Sequence, residues 1–151
     1  MYWYCDFEGY QFNTGYFIVK EISILSSDGN QCFTYLVRSP SKLLHTSNYA
    51  TMSYQFNRHH LHLKFGYYSF SEAMDDIYKK IEHQIMFVKG VEKTKFLIDN
   101  GFHAKELQSV PAFKRLNNCL SECCVYPHGM YCARRKVHEL KHFIDSNKIV
   151  L

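Results

Sequence analysis

The sequence predicts an α/β fold with a mixed sheet and flanking helices, and three observations lead to that class. The first part of the chain holds short apolar segments of the kind that form strands. The pair Asp28-Gly29 separates two of these segments and is typical of a tight hairpin turn. In the second half, helical spacing of apolar residues surrounds a short, fully apolar segment that is typical of a buried parallel strand.

The first three segments predict strands that pair with one another. We place them at residues 1–7, 16–26 and 31–38, and Pro40 ends the third. The hairpin turn joins the second strand to the third, which makes that pair antiparallel. The sheet is therefore expected to begin with three consecutive strands.

The remaining elements are predicted from caps and from helical spacing. Ser69 and Glu72 form the pattern of a capping box that opens a helix. The apolar segment 85–88 predicts the parallel strand, and further helices are expected at 91–100 and 133–145. The expected order is three antiparallel strands, a helix, a parallel strand, a helix, a loop and a last helix.

Length, composition and charge limit the classes of protein to consider. The chain has 151 residues, of which 46% are hydrophobic, and this predicts a single domain over residues 1–151. A net charge of +4 is compatible with a polyanionic partner. The sequence lacks a run of 18 apolar residues and a signal-peptide pattern, so we expect no membrane association. The six cysteines are then expected as free thiols or metal ligands in a cytoplasmic or nuclear protein.

Two carboxylates, those of Asp6 and Glu8, stand on the first strand among aromatic residues. Period-2 alternation places both on one face of that strand. Acids in a strand that is otherwise suited to burial point to a metal-binding or catalytic role. The alternative is that both carboxylates face solvent at a sheet edge.

A second candidate site precedes the last helix, where Cys124, His128 and Cys132 recur at intervals of four. Thiolate and imidazole ligands are typical of structural zinc sites, and Cys123 is an alternative to Cys124. Bound zinc would hold the last helix against the sheet and stabilise the fold. The alternative is a set of free thiols, because a free cysteine behaves as a small apolar residue.

The order and spacing of these motifs resemble the ribonuclease-H-like 3′–5′ exonucleases of the DEDD type. Asp6 and Glu8 match the first motif of that family, which carries two metal-binding carboxylates. The resemblance covers about residues 1–145 and implies a ribonuclease-H-like mixed sheet with flanking helices. In the alternative of an active nuclease, Asp6, Glu8 and Glu92 would hold one Mg²⁺ or Mn²⁺ ion.

The later motifs depart from the family pattern. Lys93, or Glu92 one place earlier, stands where the second motif has an aspartate. Tyr131 and Lys136 replace the histidine and the final aspartate of the third motif. Two-metal catalysis needs a cage of carboxylates around ions roughly 3.5–4 Å apart, and a lysine in that cage repels the second ion. We therefore expect the ordinary exonuclease activity to be lost.

The cysteine–histidine segment resembles the Maelstrom domain, a degenerate exonuclease-like module of small-RNA silencing. It also resembles short domains found in arthropod genomes and mobile elements. This resemblance implies a structural zinc ion, Zn²⁺, whose ligands would be Glu8, Cys124, His128 and Cys132.

Basic residues surround the expected cleft, where the parent fold binds a single strand. A cleft that has lost acids and gained lysines is better suited to bind phosphate groups than to bind catalytic metal ions. The candidate contacts are Lys89, Lys93, Arg134, Arg135 and Lys136. The sequence thus predicts a catalytically degenerate exonuclease-like domain that binds single-stranded RNA or DNA. The alternatives are an active metal-dependent 3′–5′ exonuclease and a protein-interaction scaffold.

Overall fold

A computed structural model describes residues 1–11, 17–39, 56, 61, 65–108 and 132–151. Five strands and three helices lie in these ranges. The strands are β1 (Trp3–Gln11), β2 (Phe17–Ser26), β3 (Cys32–Leu36), β4 (Met86–Val88) and β5 (Ala104–Glu106). The helices are α1 (Phe70–Ile81), α2 (Val91–Asp99) and α3 (Ala133–Ser146).

One mixed sheet organises these elements, in the strand order β3-β2-β1-β4-β5. The central strand β1 runs antiparallel to β2 and parallel to β4. Pairing thus changes from antiparallel to parallel at β1, and the predicted α/β class with a mixed sheet is confirmed. Strand β5 pairs in parallel with β4 in a segment for which the sequence predicted a loop. That prediction was wrong because three residues, Ala-Lys-Glu, carry no apolar alternation.

Helices cover both faces of the sheet. Trp3, Cys5 and Phe7 of β1 pack in one apolar cluster with buried residues of α1 and α2. Tyr4 points to the opposite face and packs in a second cluster with Val137 and other buried residues of α3. The alternation of β1 therefore fills two cores, which explains why this strand is so rich in aromatic residues. None of the described helices is long and apolar enough to cross a membrane.

Strand β1 is longer than predicted because of a close approach at Gly9. A β-bulge lies between Glu8 and Gly9, and pairing with β2 continues to Gln11. A Cβ atom at position 9 would lie 1.9 Å from the carbonyl oxygen of Ile18, so the two backbones can meet there only at a glycine. The bulge also increases the local twist immediately after Glu8.

Local turn and cap predictions are confirmed. The Ser69 hydroxyl accepts a hydrogen bond from the Glu72 amide, and the Glu72 carboxylate accepts one from the Ser69 amide, each at 3.1 Å. Gly29 has a φ of 79°, the left-handed conformation that the β2–β3 hairpin turn requires. Gly101 ends α2 in the same region, with a φ of 89°.

Lys20 is a buried cation in β2, with 1% of its surface exposed. Its ammonium group donates hydrogen bonds to the carbonyl oxygens of Val37 and Phe65, the second at 2.7 Å. These bonds hold the segment around Phe65 against the end of β3, where Val37 also forms a parallel bridge with Tyr68. Burial lowers the pKa of Lys20 to about 8, because the charged form loses its contact with water.

Lys20 should make the protein more stable as the pH rises between about 8 and 10.5. In this window the unfolded chain binds a proton that the folded chain has released, so raising the pH favours the folded state. Urea unfolding of the protein and of Lys20→Met between about pH 7 and about pH 11 measures the effect. The stability difference should move in favour of the native chain by about 2–3 kcal/mol. A difference that stays constant with pH would contradict the prediction, since all other titrating groups are shared.

Candidate functional site

The two acids of β1 lie where the sheet changes its pairing direction. Trp3 to Cys5 pair in parallel with β4, and Asp6 is the first residue beyond that pairing. Asp6 and Glu8 point to the face of the sheet that α3 covers, the same face as Tyr4. Crevices at such a change of direction, beyond the carboxyl end of a parallel strand, are common ligand sites in α/β proteins.

A lysine of α2 reaches both carboxylates. Lys93 lies in the first turn of α2, and its Nζ atom is 2.7 Å from Asp6 Oδ1 and 3.7 Å from Glu8 Oε1. The same Nζ lies 5.4 Å from the centre of the Phe7 ring, within the range of a cation–π contact. We call Asp6, Glu8 and Lys93 the acid–lysine site. It joins residues 87 positions apart in the chain.

The acid–lysine site is largely shielded from solvent. The side chains of Asp6, Glu8 and Lys93 are 2%, 16% and 27% exposed. Burial alone would lower the pKa of Lys93, but the attraction of Asp6 and Glu8 outweighs it and raises that pKa. Lys93 therefore keeps its positive charge to a higher pH than a lysine in water does.

For Glu8, the effect of burial on the pKa outweighs the effect of the nearby positive charges. Burial raises its pKa to about 7, and the negative charges of Asp6 and Glu21 add to this effect. Lys93 and Lys136 act against it but do not cancel it. Glu8 can therefore hold or release a proton near neutral pH, whereas a carboxylate in water would be fully ionised.

A third acid, Glu21, anchors α3 to the sheet. Glu21 lies directly opposite Glu8 in the β1–β2 ladder and is fully buried. Its Oε1 atom accepts a hydrogen bond of 2.6 Å from the amide of Ala133, the first residue of α3. A carboxylate at this position satisfies an amide that has no partner within the helix and interacts favourably with the helix dipole. Glu21 thus fixes where α3 begins relative to the acid–lysine site.

Glu139 is a fourth acid at this face, and the sequence analysis missed it. Burial raises its pKa, Arg135 and Lys136 oppose that rise, and Asp6 adds to it. Glu139 Oε1 lies 3.5 Å from Arg135 Nε. Glu139 stands three residues after Lys136, so the two share one face of α3, and this spacing was the available signal.

The predicted nucleic-acid contacts occupy different environments. Lys93 is bound to Asp6, and Lys136 lies near enough to Glu8 to lower the pKa of that carboxyl. Arg135 pairs with Glu139 in the first turns of α3. Lys89 donates a hydrogen bond of 3.4 Å to the carbonyl oxygen of Leu107. Arg134 lies near Cys32 and His138. Burial raises the pKa of Cys32 and the charge of Arg134 opposes that rise, whereas burial and Arg134 both lower the pKa of His138.

The metal ligands predicted for an active nuclease are only partly brought together. Asp6 and Glu8 share one face of β1, but the ammonium group of Lys93 already pairs with both carboxylates. Glu92 is exposed in the first turn of α2. Across the ranges that the structure describes, no three His, Cys, Asp or Glu side chains are grouped to hold a metal ion.

The structure describes two of the four predicted zinc ligands, Glu8 and Cys132. Cys124 and His128 lie outside the described residues. Cys132 is the N-cap of α3 and is 1% exposed, and its sulfur accepts a hydrogen bond of 3.4 Å from the amide of Arg135. The other ligand, Glu8, interacts with Lys93, so binding zinc would require Glu8 to exchange that partner.

An aromatic pocket of about 410 Å³ adjoins the acid–lysine site. Phe7, Phe17 and Phe96 line it, with ring centres 5.2–5.9 Å apart. Lys93 and Lys95 also line the pocket, together with the acids Glu92 and Asp99. Phe7 is almost fully buried, so the half-buried rings of Phe17 and Phe96 provide the part of this pocket on which a flat ring could stack.

Lys93→Met should destabilise the fold by about 2–4 kcal/mol, because Asp6 would keep a buried charge without its cation. Asp6→Asn/Lys93→Met should lose much less than the sum of the two single substitutions, since neither buried charge remains. Urea unfolding of the four proteins measures this coupling. Lys95→Met is the matched control, because Lys95 pairs at 2.6 Å with Asp99 on the exposed side of α2 and should contribute less than about 0.5 kcal/mol. Strictly additive losses would contradict a coupled buried pair.

The chain was also compared with known proteins. No protein-family model, no curated protein and no solved structure is significantly similar to it. Its function is therefore inferred from the geometry of the acid–lysine site and from the layout of the sequence motifs.

Proposed function

We propose that this protein is a catalytically degenerate, exonuclease-like domain that binds single-stranded nucleic acid and carries a structural zinc site. The mixed sheet, with two acids on its central strand and helices on both faces, is compatible with a ribonuclease-H-like arrangement. In that arrangement the two acids of β1 descend from a metal-binding pair.

The ammonium group of Lys93 is the observation that carries the proposal. It lies 2.7 Å from Asp6 and 3.7 Å from Glu8, so a covalently attached cation neutralises the two carboxylates. The attraction of Asp6 and Glu8 raises the pKa of Lys93 despite its burial, so this group stays charged across the neutral pH range. A divalent ion would have to displace it, so the arrangement disfavours the active-exonuclease alternative with Asp6, Glu8 and Glu92.

Two further features support a retained affinity for nucleic acid. The aromatic pocket beside the acid–lysine site suits an unpaired base, because stacking on phenylalanine needs no particular base identity. The first turn of α3 carries Arg134, Arg135 and Lys136 in succession, at a helix end whose dipole also attracts anions. A single strand could place a base in the pocket and a phosphate near this helix end.

The decisive assay incubates end-labelled single-stranded RNA and DNA with the protein, in Mn²⁺ or in EDTA, and resolves both product length and mobility on a native gel. We expect unshortened substrate that shifts on the native gel. Asp6→Asn/Glu8→Gln should behave in the same way. Metal-dependent shortening that this variant abolishes would contradict the proposal and identify an active nuclease. Neither shortening nor a shift would instead favour the scaffold alternative.

The basic turn of α3 should contribute to this binding. Lys136→Gln should weaken the affinity for single strands and lower the slope of log affinity against log salt by about 1. Lys105→Gln is the matched control, because Lys105 is exposed on β5 at the edge of the sheet. Equal effects of both substitutions would contradict a localised interface at α3.

The substitution Cys132→Ser tests whether Cys132 binds zinc or only caps the start of α3. A serine hydroxyl can accept the Arg135 amide as well as the cysteine sulfur does, so without zinc the melting temperature should hardly change. With zinc bound, the variant should lose the metal and melt at a lower temperature. Zinc content by atomic absorption and thermal unfolding measure both effects, and Cys32→Ser is the control that should keep the metal. Unchanged zinc content and stability in Cys132→Ser would contradict the site.

A further inference from the structure

Helix α3 carries a pair of metal-binding side chains that do not belong to the acid–lysine site. His138 and His142 are separated by one turn of the helix, with the sequence His-Glu-Leu-Lys-His between and including them. Side chains four residues apart on a helix have Cβ atoms about 5–6 Å apart, close enough for two imidazoles to hold one ion. The same His-Glu-x-x-His spacing supplies two zinc ligands in metallopeptidases.

Both histidines line one surface pocket of about 560 Å³ and are exposed to solvent. Leu140 and Ile144 of the same helix are buried against the sheet, so the two imidazoles occupy the outer side of α3. They are not needed for packing and can reorient towards an ion.

A neighbouring hydroxyl is placed to orient one imidazole. Ser146 Oγ lies 3.4 Å from Nε2 of His142. Metal-binding histidines usually donate their second ring N–H to such a partner, which fixes the ring and directs the other nitrogen to the metal. In the tautomer whose Nε2–H donates to Ser146, the Nδ1 atom of His142 is left to bind an ion.

The charges that line the pocket are of both signs. Glu139 contributes a carboxylate and Arg135 a guanidinium group, and the two are 3.5 Å apart. The carboxylate favours a cation, whereas the guanidinium groups of Arg135 and of Arg134, which lies near His138, disfavour one. The imidazoles are therefore the main source of affinity. Imidazole ligands select late first-row transition metals rather than Mg²⁺ or Ca²⁺.

We propose that His138 and His142 form a surface site for a late first-row divalent cation of the Ni²⁺, Cu²⁺ and Zn²⁺ class. The two imidazoles are its protein ligands, and water completes the coordination. Metallopeptidase sites add a third protein ligand. No such ligand is grouped with the two histidines among the described residues, so we assign binding and no reaction to this pocket.

A position-specific measurement is needed, because the chain contains nine histidines. Paramagnetic Ni²⁺ is titrated into the isotope-labelled full chain, and the broadening of each backbone amide NMR signal is followed. The expected result is broadening centred on the second half of α3. It should be lost in His138→Ala and in His142→Ala, both of which replace an exposed residue by a better helix former. His103→Ala is the matched control, an exposed histidine between α2 and β5, and should keep the broadening.

Two results would overturn the proposal: no broadening at α3 in the native chain, or broadening there that persists in either histidine variant. Arg135→Gln gives an independent check. Removing a positive charge from the pocket should tighten Ni²⁺ binding severalfold, and an unchanged or weaker affinity would show that the ion does not lie in this pocket. None of these outcomes depends on whether the protein binds nucleic acid.

Discussion

The architecture depends on the neutralisation of carboxylates that are buried at the centre of the sheet. Asp6 and Glu21 lie in β1 and β2 with almost no contact with water, and an unpaired charge in such a place is very unfavourable. Each acid recruits a partner from a different helix: Lys93 of α2 for Asp6, and the first amide of α3 for Glu21. The position of α2 relative to the sheet therefore depends on the carboxylate of Asp6, and the position of α3 depends on that of Glu21. Burial of apolar residues supplies the main driving force, and these two contacts define the arrangement.

Much of this arrangement could be predicted from the sequence. Period-2 alternation placed Asp6 and Glu8 on one face, the Ser69–Glu72 pattern gave the start of α1, and the apolar segment before Gly90 gave β4. Each of these predictions depends on residues close together in the chain, where spacing and geometry are directly related. The layout of motifs also brought Lys93 into the neighbourhood of the two acids.

Other features could not be predicted from the sequence, and the reasons are physical. Strand β5 is stabilised by pairing with β4 and has no apolar pattern of its own. The extension of β1 depends on a backbone contact between Gly9 and Ile18, which a sequence pattern does not reveal. Glu139 was missed because its proximity to Asp6 depends on how α3 packs on the sheet, which local spacing does not show. Cys124 and His128 lie outside the described residues, so their part in a zinc site stays a prediction.

Lys93 gives the acid–lysine site a counter-ion that never dissociates. The occupancy of a metal ion held by the same two carboxylates would depend on its free concentration. The stability of the surrounding strands would then rise and fall with that concentration. A side chain anchored in α2 is instead always present at a high effective concentration, fixed by the chain itself. The positive charge that faces Asp6 at the centre of this sheet is therefore encoded in the polypeptide and does not depend on a supply of metal ions.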